Sequence, residues 1–220
     1  MTRNPFLQNF KDLPMDLPIF PLSGAVVMPG VQLPLNIFEP RYLNMVNDAL
    51  ATDRLIGMIQ PRGEADEGET PAIHRVGCAG RITSYSETND GRIVLVLTGV
   101  CRFLVSRELD PKRGYRRVVP DWERFTVDFH ESASGPIDQE GFLSSLRAYC
   151  ELRRVEIPWD DVQRMPVQEL VNLLCTHLPL EPEDKQALIE TLDLQDRAEL
   201  MRGLMDMASV SSMSAADHRH

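Results

Sequence analysis

Lysine is nearly missing from these 220 residues: Lys11, Lys112 and Lys185 are all there are. No apolar run approaches the roughly eighteen residues that a membrane helix needs, so a bilayer span is excluded. The first twenty residues hold no uninterrupted apolar core either, because Arg3, Asn4, Gln8, Asn9, Lys11, Asp12 and Asp16 break it up. A secretory leader is therefore not expected, and the reading is a cytoplasmic protein. The four cysteines (Cys78, Cys101, Cys150 and Cys175) form no CxxC pair and lie among apolar neighbours. That suits reduced, packed thiols and argues against a bound metal. The five histidines show no ligand spacing of the H-E-x-x-H kind.

The charge present is unevenly placed. The net charge is −10, yet residues 1–122 hold 14 basic and 14 acidic side chains, so 123–220 carry the whole excess. The step coincides with a change of period, which predicts two folding units. Before it the pattern is that of strands. "LPIFPL" is an apolar run punctuated by proline, and "VVMPGVQLPL" centres a type II turn on Pro29-Gly30, glycine taking positive φ after proline. "RLIGMIQ" is a short strand, and "GRITSYSETNDGRIVLVLTGVCRFLV" a hairpin about Asn89-Asp90-Gly91. Its second arm is apolar on both alternating faces, which predicts a strand buried on both sides, with Gly99 marking a bulge. One helix interrupts, "PRYLNMVNDAL", with Tyr42, Met45, Val46 and Ala49 on one face.

The later half is helical. Phe142, Leu143, Leu146, Tyr149 and Cys150 form one stripe, and Val167, Leu170, Val171, Leu174 and Leu178 another, ended by Pro179. "EPEDKQALIETL" places proline and acids at a helix start, and Asp193 with Asp196 caps a last helix. The expectation is an α+β chain: an extension over 1–16, a β-barrel over 17–125, a linker over 126–138, a helical bundle over 139–208 and a disordered tail over 209–220. "RGEADEGET" reads as a mobile acidic loop.

Taken together, "LPIFPLSGAVVMPGVQLPLNIFEPRYLNMV", "GCAGRIT", "LTGVCRF" and "LPLEPEDKQALIETLDLQDRAELM" resemble the substrate-recognition N-terminal domain of the Lon protease, from Leu17 to Met207. The resemblance implies a PUA-like barrel, shared with the cereblon family, followed by a helical bundle. It implies contact with unfolded or tagged polypeptides on behalf of an ATP-dependent protease. The sequence departs from the full protease in having no G-x-x-x-x-G-K-[ST] and no segment like the one that carries its Ser-Lys dyad. Nor does it hold the paired cysteines of the zinc-bearing cereblon pocket. The expectation is thus a non-catalytic, stand-alone recognition module without cofactor or metal, in protein quality control or as an accessory to proteolysis. A small-molecule or peptide sensor at the barrel mouth is the alternative, with RNA binding and a cryptic hydrolase behind it.

Within that resemblance, "PLNIFEPRY" places Glu39 and Arg41 amid Phe38 and Tyr42. Two readings stay open: a structural clamp, at least partly buried and hydrogen-bonded to loop backbone or to each other, which is favoured, and a groove gripping a substrate. Lys185, in a charged first turn, is expected to be solvated. Lys112, Arg113, Arg116 and Arg117 form the one patch suited to nucleic acid, and a solvated hairpin end is the favoured reading. The acidic half is taken as a solubilising surface rather than a dock for a basic partner.

Overall fold

The computed structural model describes residues 9–63, 70–129 and 137–217, with side chains to 208. The acidic loop of 64–69 and the glycine-proline centre of the linker lie outside these residues. Six strands make one mixed sheet: β1 (Leu17–Pro21), β2 (Gln32–Ile37), β3 (Leu55–Ile59), β4 (Val76–Glu87), β5 (Ile93–Lys112) and β6 (Tyr115–Asp121), in the order β2-β5-β4-β3-β1-β6. Helix α1 (Pro40–Leu50) sits between β2 and β3 in the chain, with Tyr42, Met45, Val46 and Ala49 buried as their spacing predicts. A 3-10 segment (Glu123–Phe129) leads to α2 (Gln139–Arg153), α3 (Trp159–Arg164), α4 (Val167–His177), α5 (Pro182–Glu190) and α6 (Leu194–Asp217).

The expected barrel is met only in part. β5 is long enough to pair with β4 and, through its far half, with β6, so the sheet rolls back on itself. β2 stays outside that closure, and among the described residues it pairs with β5 alone, leaving its other edge open. The register of β2 on β5 runs unbroken through Pro34, so the nitrogen of Pro34 faces the open edge, where no ladder bond is lost. The strand expected to be buried on both faces is central in pairing, yet Ile93, Leu95 and Leu97 are buried while Val94 is exposed. Further along that outer face Val96 and Val100 are half-buried, so only its Val94 end is open to solvent.

Two apolar clusters hold the fold. A small one inside the rolled sheet gathers Leu17, Ile19, Leu55, Ile59 and Phe103. The larger runs without interruption from Phe20 and Tyr42 through Leu97 to Phe142, Leu174, Leu188 and Met205. Sheet and helices therefore share one core, although the charge step suggested two separate units. Gly99 shows how close the backbones come. It sits at the expected bulge, is bridged to Pro29, and a Cβ there would meet the Met28 carbonyl at 2.1 Å.

Polar locks cross the same seam. Arg102 on β5 is 1% exposed, and its guanidinium meets Asp128, 6% exposed, at 2.7 Å. The same side chain donates to the carbonyls of Ile189, Thr191 and Leu192 at the α5–α6 turn. Asp128 also accepts from the Arg102 backbone N–H at 2.9 Å. Asp128, within the stretch expected as the interdomain linker, is thus a structural part of the seam. Gln60 adds a second lock, donating to the Pro182 carbonyl at 2.8 Å and to Gln186, whose amide reaches the Val76 carbonyl.

The helix boundaries follow the sequence signals. Asp138 caps α2 through the Gly141 N–H, and Leu178 ahead of Pro179 ends α4 in extended backbone. Asp193 accepts from the N–H groups of Gln195 and Asp196 at the start of α6. That helix continues to Asp217, through residues expected to be a disordered tail.

Arg102→Leu should cost about 3–5 kcal/mol, because it leaves the buried Asp128 carboxylate without its partner. Urea denaturation of the variant against the wild type measures it, and the transition should move as one, since the core is shared.

Candidate functional site

The sequence-predicted site is at the surface. Pro40 opens α1 and Glu39 precedes it, so Glu39 and Arg41 straddle the first turn. Their side chains pair at 2.7 Å with Arg41 53% and Glu39 43% exposed. The two charges bond each other, one form the structural reading allows, but a pair this exposed contributes under about 1 kcal/mol. Phe38 is 61% exposed, with the Arg92 guanidinium over its ring. Tyr42 alone turns inward, tilted against Phe20 at 4.3 Å, with Arg41 on its other side. Local order decides this outcome. A helix beginning at Pro40 puts one face inward, and positions 39 and 41 lie off it.

The clamp on α1 is Asp48, which sequence reasoning missed. Its carboxylate meets Arg113 at 2.6 Å and Lys112 at 3.2 Å, and it accepts from the Tyr115 hydroxyl at 2.8 Å. Asn44 adds two bonds to Arg113. The tyrosine hydroxyl, then Lys112 and Arg113, hold the Asp48 carboxyl below its usual range, and burial with Asp48 beside it pushes Tyr115 up to about 12. The supposed nucleic-acid patch is consumed in the same way. Arg116 is paired with Glu108 and Arg117 with Asp16, so each of the four cations already faces a carboxylate.

Lys185 also departs from expectation. It is 7% exposed, donates to the Thr176 carbonyl at 3.1 Å, and burial lowers its pKa. The packing of α5 on β4 and α4 draws this first-turn residue into the seam. It lines none of the cavities described below. All four cysteines are buried free thiols, and burial raises each thiol pKa, which disfavours a thiolate nucleophile. Among the described residues no three His, Cys, Asp or Glu side chains are grouped to hold a metal ion.

A large cavity lies along the seam. It is an open groove of about 1030 Å³ between the β2–β5 face and helices α4 and α6. Val31, Pro34, Val100, Met165 and Leu173 line its apolar walls. Arg102, Asp128, Asn172 and Arg197 make up its polar floor, while Glu169 and His177 stand exposed at the rim. Asn172 ties the walls together, donating to the Pro29 carbonyl and accepting from Arg197 at 2.9 Å. A smaller cavity of about 130 Å³ borders Arg41, Tyr42, Tyr115 and Arg116. No part of the groove touches Phe38, Glu39, Arg41 or Tyr42. Its floor residues come from strand, 3-10 segment and two helices, so no local motif marks it.

This arrangement of sheet and helices is the fold of solved Lon N-terminal domains. A solved structure of a Lon N-terminal domain protein from Xanthomonas campestris matches 84% of this chain and 96% of its own at a TM-score of 0.59 and 26% identity. The N-terminal domain of a Mycobacterium avium complex Lon protease shares the fold at a TM-score of 0.56 and 15% identity. A family model described as the ATP-dependent protease La (LON) substrate-binding domain matches residues 16–207, and the chain belongs to that family. Curated relatives include a Lon protease of Flavobacterium johnsoniae, 28% identical over 86% of this chain, and Lon protease 2 of Myxococcus xanthus, 29% identical over 92%. The chain spans only about a quarter of the length of those relatives, 24% and 25%.

Two variants separate the surface pair from the true clamp. Arg41→Ala should melt like the wild type in a thermal scan. Asp48→Ala should lose about 1–3 kcal/mol at neutral pH, through the unpartnered Tyr115 hydroxyl and two freed cations. A carboxyl with a depressed folded pKa stabilises above its unfolded value of about 3.9, and that contribution is lost as pH falls through the folded value. The gap between wild type and Asp48→Ala should accordingly close in the acid range, below about pH 4.

Proposed function

We propose that this chain is a non-catalytic module that binds protein substrates, holding an extended apolar segment of an unfolded or tagged polypeptide in the seam groove. The groove carries the reading: its size suits a stretch of several side chains, and its walls are apolar with a few convergent polar groups. Membership of the Lon substrate-binding family supports substrate recognition as its task. A cytoplasmic role in quality control, delivering clients to an ATP-dependent protease, is consistent with both. No cofactor enters this function. The open edge of β2 would otherwise invite strand addition, but Pro34 removes a donor from its middle. Side-chain contacts in the groove, rather than a continuous backbone ladder, should therefore dominate binding.

Nucleic acid is disfavoured by the pairing of Lys112, Arg113, Arg116 and Arg117 and by the acidity of the helical half. The test is fluorescence anisotropy with a reduced, alkylated and hence permanently unfolded protein as labelled client. Leu173→Glu places a charge on the groove wall and should weaken binding about tenfold, equal to roughly 1.4 kcal/mol, with the thermal transition retained. Arg41→Ala should bind as the wild type does. The opposite order of effects would move the site to the Phe38–Tyr42 surface.

A further inference from the structure

The floor of the groove carries more positive than negative charge. Arg102 and Arg197 approach the same turn from two sides, and both donate to the carbonyls of Thr191 and Leu192. Between them they have one carboxylate, Asp128, and Arg102 holds it through two nitrogens. The carbonyls at the end of α5 add the partial negative charge of a helix C-terminus, which suits Arg102. Arg197 has no ion pair: among the described residues no carboxylate lies within 4 Å of it, and Asp128 and Asp193 act on it only from farther away.

Arg197 is only 4% exposed, and its Nε–H, fully buried, donates to no protein group. Burial first, and then the like charge of Arg102, draw its pKa down to about 10, so it remains cationic at neutral pH. A buried guanidinium with neither an ion pair nor a partner for one donor is costly unless something anionic meets it. Since Arg197 lines the groove, that something can arrive with a ligand.

We propose that the groove floor at Arg197 is a carboxylate subsite, taking the free C-terminal carboxylate of a polypeptide whose last apolar residues lie along Val31, Val100 and Leu173. This rests on the groove being the polypeptide site. A chain end fits better than an acidic side chain in mid-chain. The floor is almost closed to solvent, and an end-on approach brings a carboxylate down with one strand of backbone instead of two. It also leaves the Pro34-blunted edge of β2 unused.

The test needs the wild-type chain and three fluorescein-labelled decapeptides. All begin with glycine and serine. Two end in Leu-Val-Ala-Leu, one as the free acid and one as the C-terminal amide, and the third is an amide ending in Leu-Val-Asp-Leu. Anisotropy at low salt should show the free acid binding at least about tenfold tighter than either amide, the worth of one charge-assisted hydrogen bond. Arg197→Gln, in a variant that keeps its thermal transition, should bring acid and amide to equal affinity.

Equal affinity of acid and amide in the wild type overturns the subsite, and so does an unchanged preference in folded Arg197→Gln. An aspartyl amide as tight as the free acid overturns the chain-end assignment. If none of the peptides binds while the unfolded protein still does, the subsite fails and the groove reading stands. If the unfolded protein fails to bind as well, both fall.

Discussion

A guanidinium that water cannot reach joins the two halves of this molecule. Arg102 rises from the middle strand of the sheet and is met by Asp128 and by the last carbonyls of α5. A buried ion pair of this kind adds little net stability over an apolar replacement, but it is intolerant of misplacement, because each group is costly without the others. The lock therefore fixes where α5 and α6 sit on the sheet. The continuous apolar core supplies the bulk of the attraction, and the lock supplies the registry.

That registry produces the groove. β2 reaches out beyond the rolled part of the sheet, α4 stands opposite it, and Asn172 bridges the gap through the Pro29 carbonyl. The tight approach of Gly99 to Met28 lets the Pro29-Gly30 turn fold back over β5 and makes one end of the wall. A cleft built along a shared core is stiffer than one between two tethered units. A ligand would find its walls preformed, and less of the binding free energy would go into ordering them.

The same packing explains the reassignment of charged residues. Lys185 was expected in water and is buried, while Glu39 and Arg41, expected at least partly buried, are about half exposed. In each case the local sequence is a helix start, which says little about which side of the helix will be covered. Asp48 collects Lys112, Arg113 and Tyr115 from a hairpin more than sixty residues away, and no spacing rule links them. The basic cluster at that hairpin looks free in the sequence because two of its carboxylate partners, Asp16 and Asp48, are distant, while Glu108 faces Arg116 only once the hairpin forms.

Periodicity, proline and glycine determined much by themselves: most strand and helix segments (though not α3), the turns at Pro29-Gly30 and Asn89-Gly91, the bulge at Gly99 and the cap at Asp138. These are local signals, set by steric limits on the backbone and by the period of one buried face. The spaced motifs were also enough to mark the Lon substrate-binding family. Closure of the sheet, the sharing of one core, and the meeting of Arg102, Asp128, Asn172 and Arg197 along one groove were decided only in three dimensions. Each of those contacts joins segments far apart in the chain, and which cations end up paired depends on long-range packing that no local pattern encodes.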